Sequence, residues 1–162
     1  MALTMETIFR SEQDEFLIAQ QEEDDRIKTV VHPGLAKYND TTLANDPYFV
    51  FPVKKNTSYN FQCYLKIRNG SSGPDFAWDF NPPSGTSGTY VWNYEGGANT
   101  SVYSLTANQT QSIPDSTYVD IFISGIFTTG SVDGDFHFRW AAENDSSDSC
   151  YLRASSFLTI TK

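Results

Sequence analysis

Tyr59-Asn60-Phe61-Gln62-Cys63-Tyr64-Leu65-Lys66-Ile67-Arg68 is the stretch whose pattern settles the fold class. Tyr59, Phe61, Cys63, Leu65 and Ile67 alternate with Asn60, Gln62, Tyr64, Lys66 and Arg68. Successive side chains of a strand point to opposite faces, so a period of two makes a strand with one apolar face. Cys63 falls on that face and reads as a small buried hydrophobe. The stretch ends at Asn69-Gly70-Ser71-Ser72-Gly73-Pro74, a run of turn formers.

The same rhythm recurs on both sides. Phe76, Trp78 and Phe80 share a face, with Asp79 on the other, and Pro82-Pro83-Ser84-Gly85 closes that strand. Tyr90, Trp92 and Tyr94 alternate up to Gly96-Gly97. Residues 102–105 form a weak strand. Residues 118–127 are an apolar run, expected to be covered on both faces. Asp133-Gly134 signals a short hairpin, leading into Phe136, Phe138 and Trp140. Residues 144–149 read as a polar loop and residues 152–160 as the last strand. Residues 48–53 precede the clearest strand, and Pro47 and Pro52 push them to a sheet edge. About eight strands with no helical pattern between them predict an all-β fold, an antiparallel β-sandwich of jelly-roll type.

Composition agrees. Aromatics make up 15% of the 162 residues and charged residues 19%. Aromatic and β-branched residues suit a pleated, half-buried surface. The net charge of −9 argues against nucleic-acid or anionic-membrane partners, which need a basic surface. No apolar run reaches the roughly 18 residues that span a bilayer. Met1 is not followed by a basic region and an apolar core, so no secretory leader is expected. Cys63 and Cys150 are then expected as reduced thiols, with a bridge between them left open by sequence. Six Asn-x-Ser/Thr triplets, beginning at Asn39, Asn56, Asn69, Asn99, Asn108 and Asn144, read as chance products of the composition.

The first thirty residues differ from the rest. They hold eight acids against three bases and lack Gly, Pro, Trp and Tyr. Ser11 followed by Asp14 and Glu15 resembles a helix start, and a helix over residues 11–28 is expected. Phe16, Leu17, Ile18 and Ile27 make no sustained heptad stripe, which disfavours a coiled coil. His32-Pro33-Gly34 marks the change of composition. The chain divides into an acidic N-terminal arm, residues 1–33, and a β-sandwich domain, residues 34–162. The arm is read either as a segment that orders against a partner or as a solvated terminus.

Templates for chemistry fail. His32 and His137 belong to no metal-ligand spacing, and His137 reads as an ordinary strand side chain. Asp75 with Asp79, and Asp133 with Asp135, are carboxylate pairs that turn chemistry explains more simply than glycoside hydrolysis or calcium binding. Trp78, Trp92 and Trp140, with Tyr64, Tyr90 and Tyr94, read as packing, with a sugar-stacking platform as the alternative. No catalytic, metal-binding or cofactor-binding residue is assigned, and no enzyme is expected.

Three segments carry a resemblance. They are Thr41-Thr42-Leu43-Ala44-Asn45-Asp46-Pro47-Tyr48-Phe49-Val50-Phe51-Pro52-Val53 with Asn56-Thr57-Ser58-Tyr59-Asn60-Phe61, then Asp75-Phe76-Ala77-Trp78-Asp79-Phe80-Asn81-Pro82-Pro83-Ser84-Gly85, and Phe136-His137-Phe138-Arg139-Trp140-Ala141 with Ala154-Ser155-Ser156-Phe157-Leu158-Thr159-Ile160. Together they resemble small β-rich virion structural proteins of tailed bacteriophages, over about residues 35–162. The resemblance implies a trimeric β-sandwich: a head decoration (cement or knob) protein, or alternatively a tail-fibre or receptor-binding component that contacts host glycan. No catalytic residues come with it, and no cofactor. The expected partners are the major capsid protein and further copies of the chain as a homotrimer. The expected location is the capsid surface of a virion, after synthesis in the host bacterial cytoplasm. Phe9, Phe16, Leu17, Ile18 and Ile27 are the arm residues expected to contact the capsid. In the adhesin reading, loops 69–75 and 144–149 would contact glycan instead.

Overall fold

The computed structural model describes residues 27–38, 40–70, 75–94, 97, 101–114, 116–142 and 149–162. Among the described residues, twelve strands form two sheets. They are β1 (Ile27–Val31), β2 (Leu35–Tyr38), β3 (Ala44–Val53), β4 (Ser58–Asn69), β5 (Phe76–Asn81), β6 (Ser87–Tyr94), β7 (Tyr103–Ser104), β8 (Gln109–Gln111), β9 (Tyr118–Thr128), β10 (Gly134–Ala142), β11 (Ser149–Leu152) and β12 (Phe157–Thr161). The large sheet runs β1-β12-β4-β9-β6-β7, with β11 pairing both β2 and the far end of β4. The small sheet runs β3-β10-β5-β8. All named pairings are antiparallel.

From β3 onward the chain passes back and forth between the sheets. The strands β3, β5, β8 and β10 lie in the small one, and β4, β6, β9 and β12 in the large one. This crossing is the jelly-roll-type sandwich that the spacing predicted. β4 is the spine of the large sheet. It pairs along its whole length with β9, from Ser58 opposite Thr128 to Arg68 opposite Tyr118. The alternation of its sequence is reproduced as an alternation of burial, with Phe61, Cys63, Leu65 and Ile67 facing inward. β3 ends the small sheet, the edge position that Pro47 and Pro52 led us to expect.

The core is aromatic. Phe49, Phe76, Trp78, Phe80, Phe136, Phe138 and Trp140 are fully buried on the small sheet. Phe61, Tyr90, Trp92 and Phe127 meet them from the large one. Phe61 packs edge-on against Phe80 at 4.8 Å, and Trp92 against Trp78 at 5.0 Å. Edge-to-face and offset pairs of this kind add about 0.5–1.5 kcal/mol each beyond the area they bury. The three tryptophans are therefore packing residues and present no stacking platform to a sugar.

Several expectations are corrected. Residues 118–127 are not covered on both faces: Val119, Ile121, Ile123 and Phe127 point inward, while Phe122 and Ile126 are 51% and 59% exposed. Asp133-Gly134 closes no hairpin, because β9 and β10 lie in different sheets and the segment carries the crossover. The last strand is two, β11 and β12, separated by a turn in which the Ser156 N–H donates to the Arg153 carbonyl. β1, β2, β8 and β11 were not foreseen as separate strands. The helix expected over residues 11–28 cannot include its last two residues, since Ile27 and Lys28 pair with Thr161 and Ile160. Residues 11–26 lie outside the described residues. The sheet thus begins at Ile27, six residues before the Pro33 boundary.

Both cysteines are free and buried. Burial, with some contribution from the Asp46 charge, raises the Cys63 thiol well above its ordinary pKa. Burial pushes Cys150 up to about 12, against a small opposing backbone hydrogen bond from Tyr151. Neither thiol forms a reactive thiolate near neutral pH.

Candidate interaction surface

Carboxylates that sequence offered for chemistry are held in structural roles. Asp79 is buried and takes a two-pronged bond from Arg139, with Nε at 2.7 Å and Nη2 at 2.5 Å. The hydrogen bond to Asp79 also raises the Arg139 pKa. Asp75 accepts from the Ser112 hydroxyl at 2.6 Å, and Asp133 from the Lys55 N–H at 2.7 Å. Among the described residues no three of His, Cys, Asp and Glu group as metal ligands would. His137 is half-buried on β10 and its Nδ1 meets no partner.

One polar cluster escaped sequence reasoning. His32 and Asp46 are both fully buried, with Nε2 3.1 Å from Oδ2. The Gly34 N–H donates to His32 Nδ1 at 2.9 Å, which leaves the ring proton on Nε2, pointing at the carboxylate. Trp140 Nε1 donates to the same Asp46 oxygen at 2.9 Å. The Tyr48 and Phe49 N–H groups donate to Oδ1, each at 2.9 Å. Burial raises the Asp46 pKa, but these bonds, led by that from His32, outweigh it and hold the pKa below the ordinary carboxylate value. The cluster ties the β1–β2 link to the small sheet. The His32 and Asp46 side chains are both closed off from solvent. The only sequence signal was the Asx-turn pattern at Asp46. Its partners lie 14 and 94 residues away along the chain.

What the fold leaves open is the outer face of the large sheet. Antiparallel sheets often present one polar, solvated face. Here pairing register lines up apolar side chains across strands. Val31 lies opposite Phe157, Phe157 opposite Tyr64, and Tyr64 opposite Phe122. The Tyr64 ring is 5.6 Å from Phe157 and 5.0 Å from Phe122. Two residues along, Thr29, Thr159, Gln62, Ser124 and Val91 form a mostly polar row, in which the Thr29 and Thr159 hydroxyls bond at 2.8 Å. The next row holds Ile27, Thr161, Asn60, Ile126 and Thr89. Val91, Trp92, Phe122 and Phe157 line a shallow hollow, and Val102 and Ile126 line its neighbour.

Nine large apolar side chains are exposed among the described residues, and seven sit on this face: Ile27, Val31, Val91, Val102, Tyr118, Phe122 and Ile126. Single exposed apolar residues are ordinary, as Ile27 and Tyr118 are here, but Phe122, Val91, Val102 and Ile126 adjoin along the two hollows, and such a group marks a contact surface. Of the residues expected to touch a capsid, Ile27 lies here, 63% exposed at the start of β1. Phe9, Phe16, Leu17 and Ile18 lie outside the described residues, as do most of the loops 69–75 and 144–149.

No protein-family model matches the chain, and no curated protein matches it. Among solved structures the chain is similar to one from the tripod (BppUct-A-L) of the bacteriophage Tuc2009 baseplate, at 10% identity and a TM-score of 0.38. That alignment covers 86% of this chain and 65% of the other. It is also similar to a chain of the infectious bursal disease virus Gx strain, at 8% identity and a TM-score of 0.27, covering 83% of this chain and 40% of that one. A third similarity is to the T13 particle of infectious bursal disease virus, at 11% identity and a TM-score of 0.29, covering 84% and 38%. The chain spans less than two thirds of the length of each of these proteins.

Proposed function

We propose that this chain is a non-catalytic structural protein of a bacteriophage virion, a decoration protein bound to the outer capsid surface. The observation that carries the reading is the division of its apolar side chains. One set fills the interior, and the other, with Phe157, Phe122, Val91, Val102 and Ile126 along two adjoining hollows, is turned outward on the large sheet. A protein that works by being bound needs a rigid body and a contact surface and nothing more. The resemblance of residues 41–53, 56–61, 75–85, 136–141 and 154–160 to tailed-phage virion proteins supports the same reading.

The mechanism is mechanical. A copy seated where capsid subunits meet buries area against several of them, so separating those subunits also requires breaking its contacts. The capsid protein and further copies of the chain, as a homotrimer, are the proposed partners. A net charge of −9 suits the outside of a shell, where DNA is not a neighbour.

Negative-stain microscopy of intact particles with an antibody to this protein tests the proposal. Label distributed over the head supports it. Label at the tail, or none on particles, overturns it.

A further inference from the structure

At one end of the outer face three cations gather round one tyrosine. Arg68 lies opposite Tyr118 in the β4–β9 register, and Lys66 opposite Asp120. Arg153 is brought in by its own N–H, which donates to the Lys66 carbonyl at 2.9 Å. Lys66 Nζ is 5.4 Å from the Tyr118 ring centroid, Arg68 Cζ 5.6 Å and Arg153 Cζ 5.8 Å. Tyr118 itself is 45% exposed. None of the three cations is in an ion pair among the described residues. Arg68 Nε is buried with no partner. Asp120 sits beside them with its Oδ1 also unpartnered, so the group keeps an excess of positive charge.

This excess stands out in an acidic chain. Residues 27–162 hold nine bases and twelve acids, whereas residues 1–26 hold two bases and eight acids. Half of those eight are consecutive, as Glu22-Glu23-Asp24-Asp25. Carboxylates match guanidinium groups in charge and in hydrogen-bond geometry, and crowded cations gain by their arrival.

Tether length decides which copy can supply them. Ile27 lies opposite Thr161, and Thr161 opposite Asn60. Arg68 is eight residues further along β4, about 26 Å at 3.3 Å per residue, and β9 is three strands from β1, about 14 Å across. Tyr118 is therefore about 30 Å from Ile27. The acidic run precedes Ile27 by two to five residues, which fully extended span at most about 17 Å. Lys66, the nearest cation, is six residues along β4 and two strands across, about 22 Å from Ile27, and β1 runs from Ile27 toward it. The chain therefore enters β1 from the end of the sheet away from the cluster, and would have to fold back over β1 at full stretch to meet its own cations.

We propose that the Tyr118 cluster receives the run Glu22-Glu23-Asp24-Asp25 from a second copy of this chain. The contact is head-to-tail, so it closes a ring where the rotation between copies allows. It stands independently of the virion reading.

Light scattering on the full chain, its charge variants and their mixture tests it. The wild type is expected at a multiple of 18.2 kDa in dilute salt, falling to 18.2 kDa near 1 M, where charges more than about 3 Å apart are screened. Lys66→Glu with Arg153→Glu, and separately the reversal of all four acids to Lys, should each give 18.2 kDa. An equimolar mixture of the two variants should associate above 18.2 kDa, since the arm of each meets an opposite charge on the patch of the other. Arg153→Glu alone, at an exposed position, replaces the double variant if that does not fold. A wild-type monomer, a patch-reversed variant of unchanged mass, or a mixture that stays monomeric overturns the proposal. Docking of an arm on its own body gives the first of these results.

Discussion

Phe127 and Phe136 stack with ring centroids 4.4 Å apart and planes 8° from parallel. One belongs to β9 of the large sheet and the other to β10 of the small one, so this pair joins the two layers. Phe136 also contacts Phe61 at 5.6 Å and Phe80 at 5.3 Å. Phe136→Ala should cost about 3–5 kcal/mol, the usual loss for deleting a buried aromatic ring. Urea unfolding followed by tryptophan fluorescence measures it. A loss below about 1 kcal/mol would mean that the sheets are held together elsewhere.

The Asp46 cluster makes stability depend on pH. Its folded pKa lies below the ordinary carboxylate value of 3.8, so its contribution is fully present above that value. It is lost as pH falls through the lower, folded pKa. Asp46→Asn should remove that dependence. It should also destabilise at pH 7, at about 1–3 kcal/mol for each buried donor left unmade. Comparing urea midpoints of both proteins at pH 7 and pH 3 checks this. The gap between them should narrow at the lower pH.

Gly125 faces the core between Phe61 and Tyr90 on neighbouring strands. A Cβ there would come within 2.5 Å of the Thr89 carbonyl and 2.6 Å of the Phe61 ring. Backbone cannot yield as a side chain does, so Gly125→Ala should destabilise by about 1–3 kcal/mol through overpacking. A thermal melt shows whether the variant melts lower.

Phe122 and Ile126 touch solvent, so replacing them should leave the fold alone. Phe122→Lys with Ile126→Lys is expected to change stability by no more than about 0.5 kcal/mol per site. It should abolish co-sedimentation of the protein with virus particles. Full binding by a well-folded double variant would remove the outer face from the proposed function.

Much of this molecule was legible along the chain. β4 was readable residue by residue, because strand geometry forces a period of two and only a sheet rewards it. The edge position of β3 followed from Pro47 and Pro52, which cannot donate to a ladder. The composition of residues 1–33 differs from that of the rest, but the sheet claims Ile27–Val31 from their end. Resemblance supplied the candidate function, and composition the absence of a template for chemistry.

Tertiary structure decided what depends on pairs far apart in sequence. In the run 118–127 the rings and aliphatic chains of Tyr118, Phe122 and Ile126 masked a local signal, since Asp120 and Ser124 share their face; the small sheet lies against the other face only. His32 looked like a boundary residue until folding buried it against Asp46 and Trp140. Register between β4, β9, β12 and β1 alone made a patch of Val31, Phe157, Tyr64 and Phe122, and gathered three cations at Tyr118. Periodicity reports how a strand divides its faces, and it carries no information about which distant residue will stand opposite.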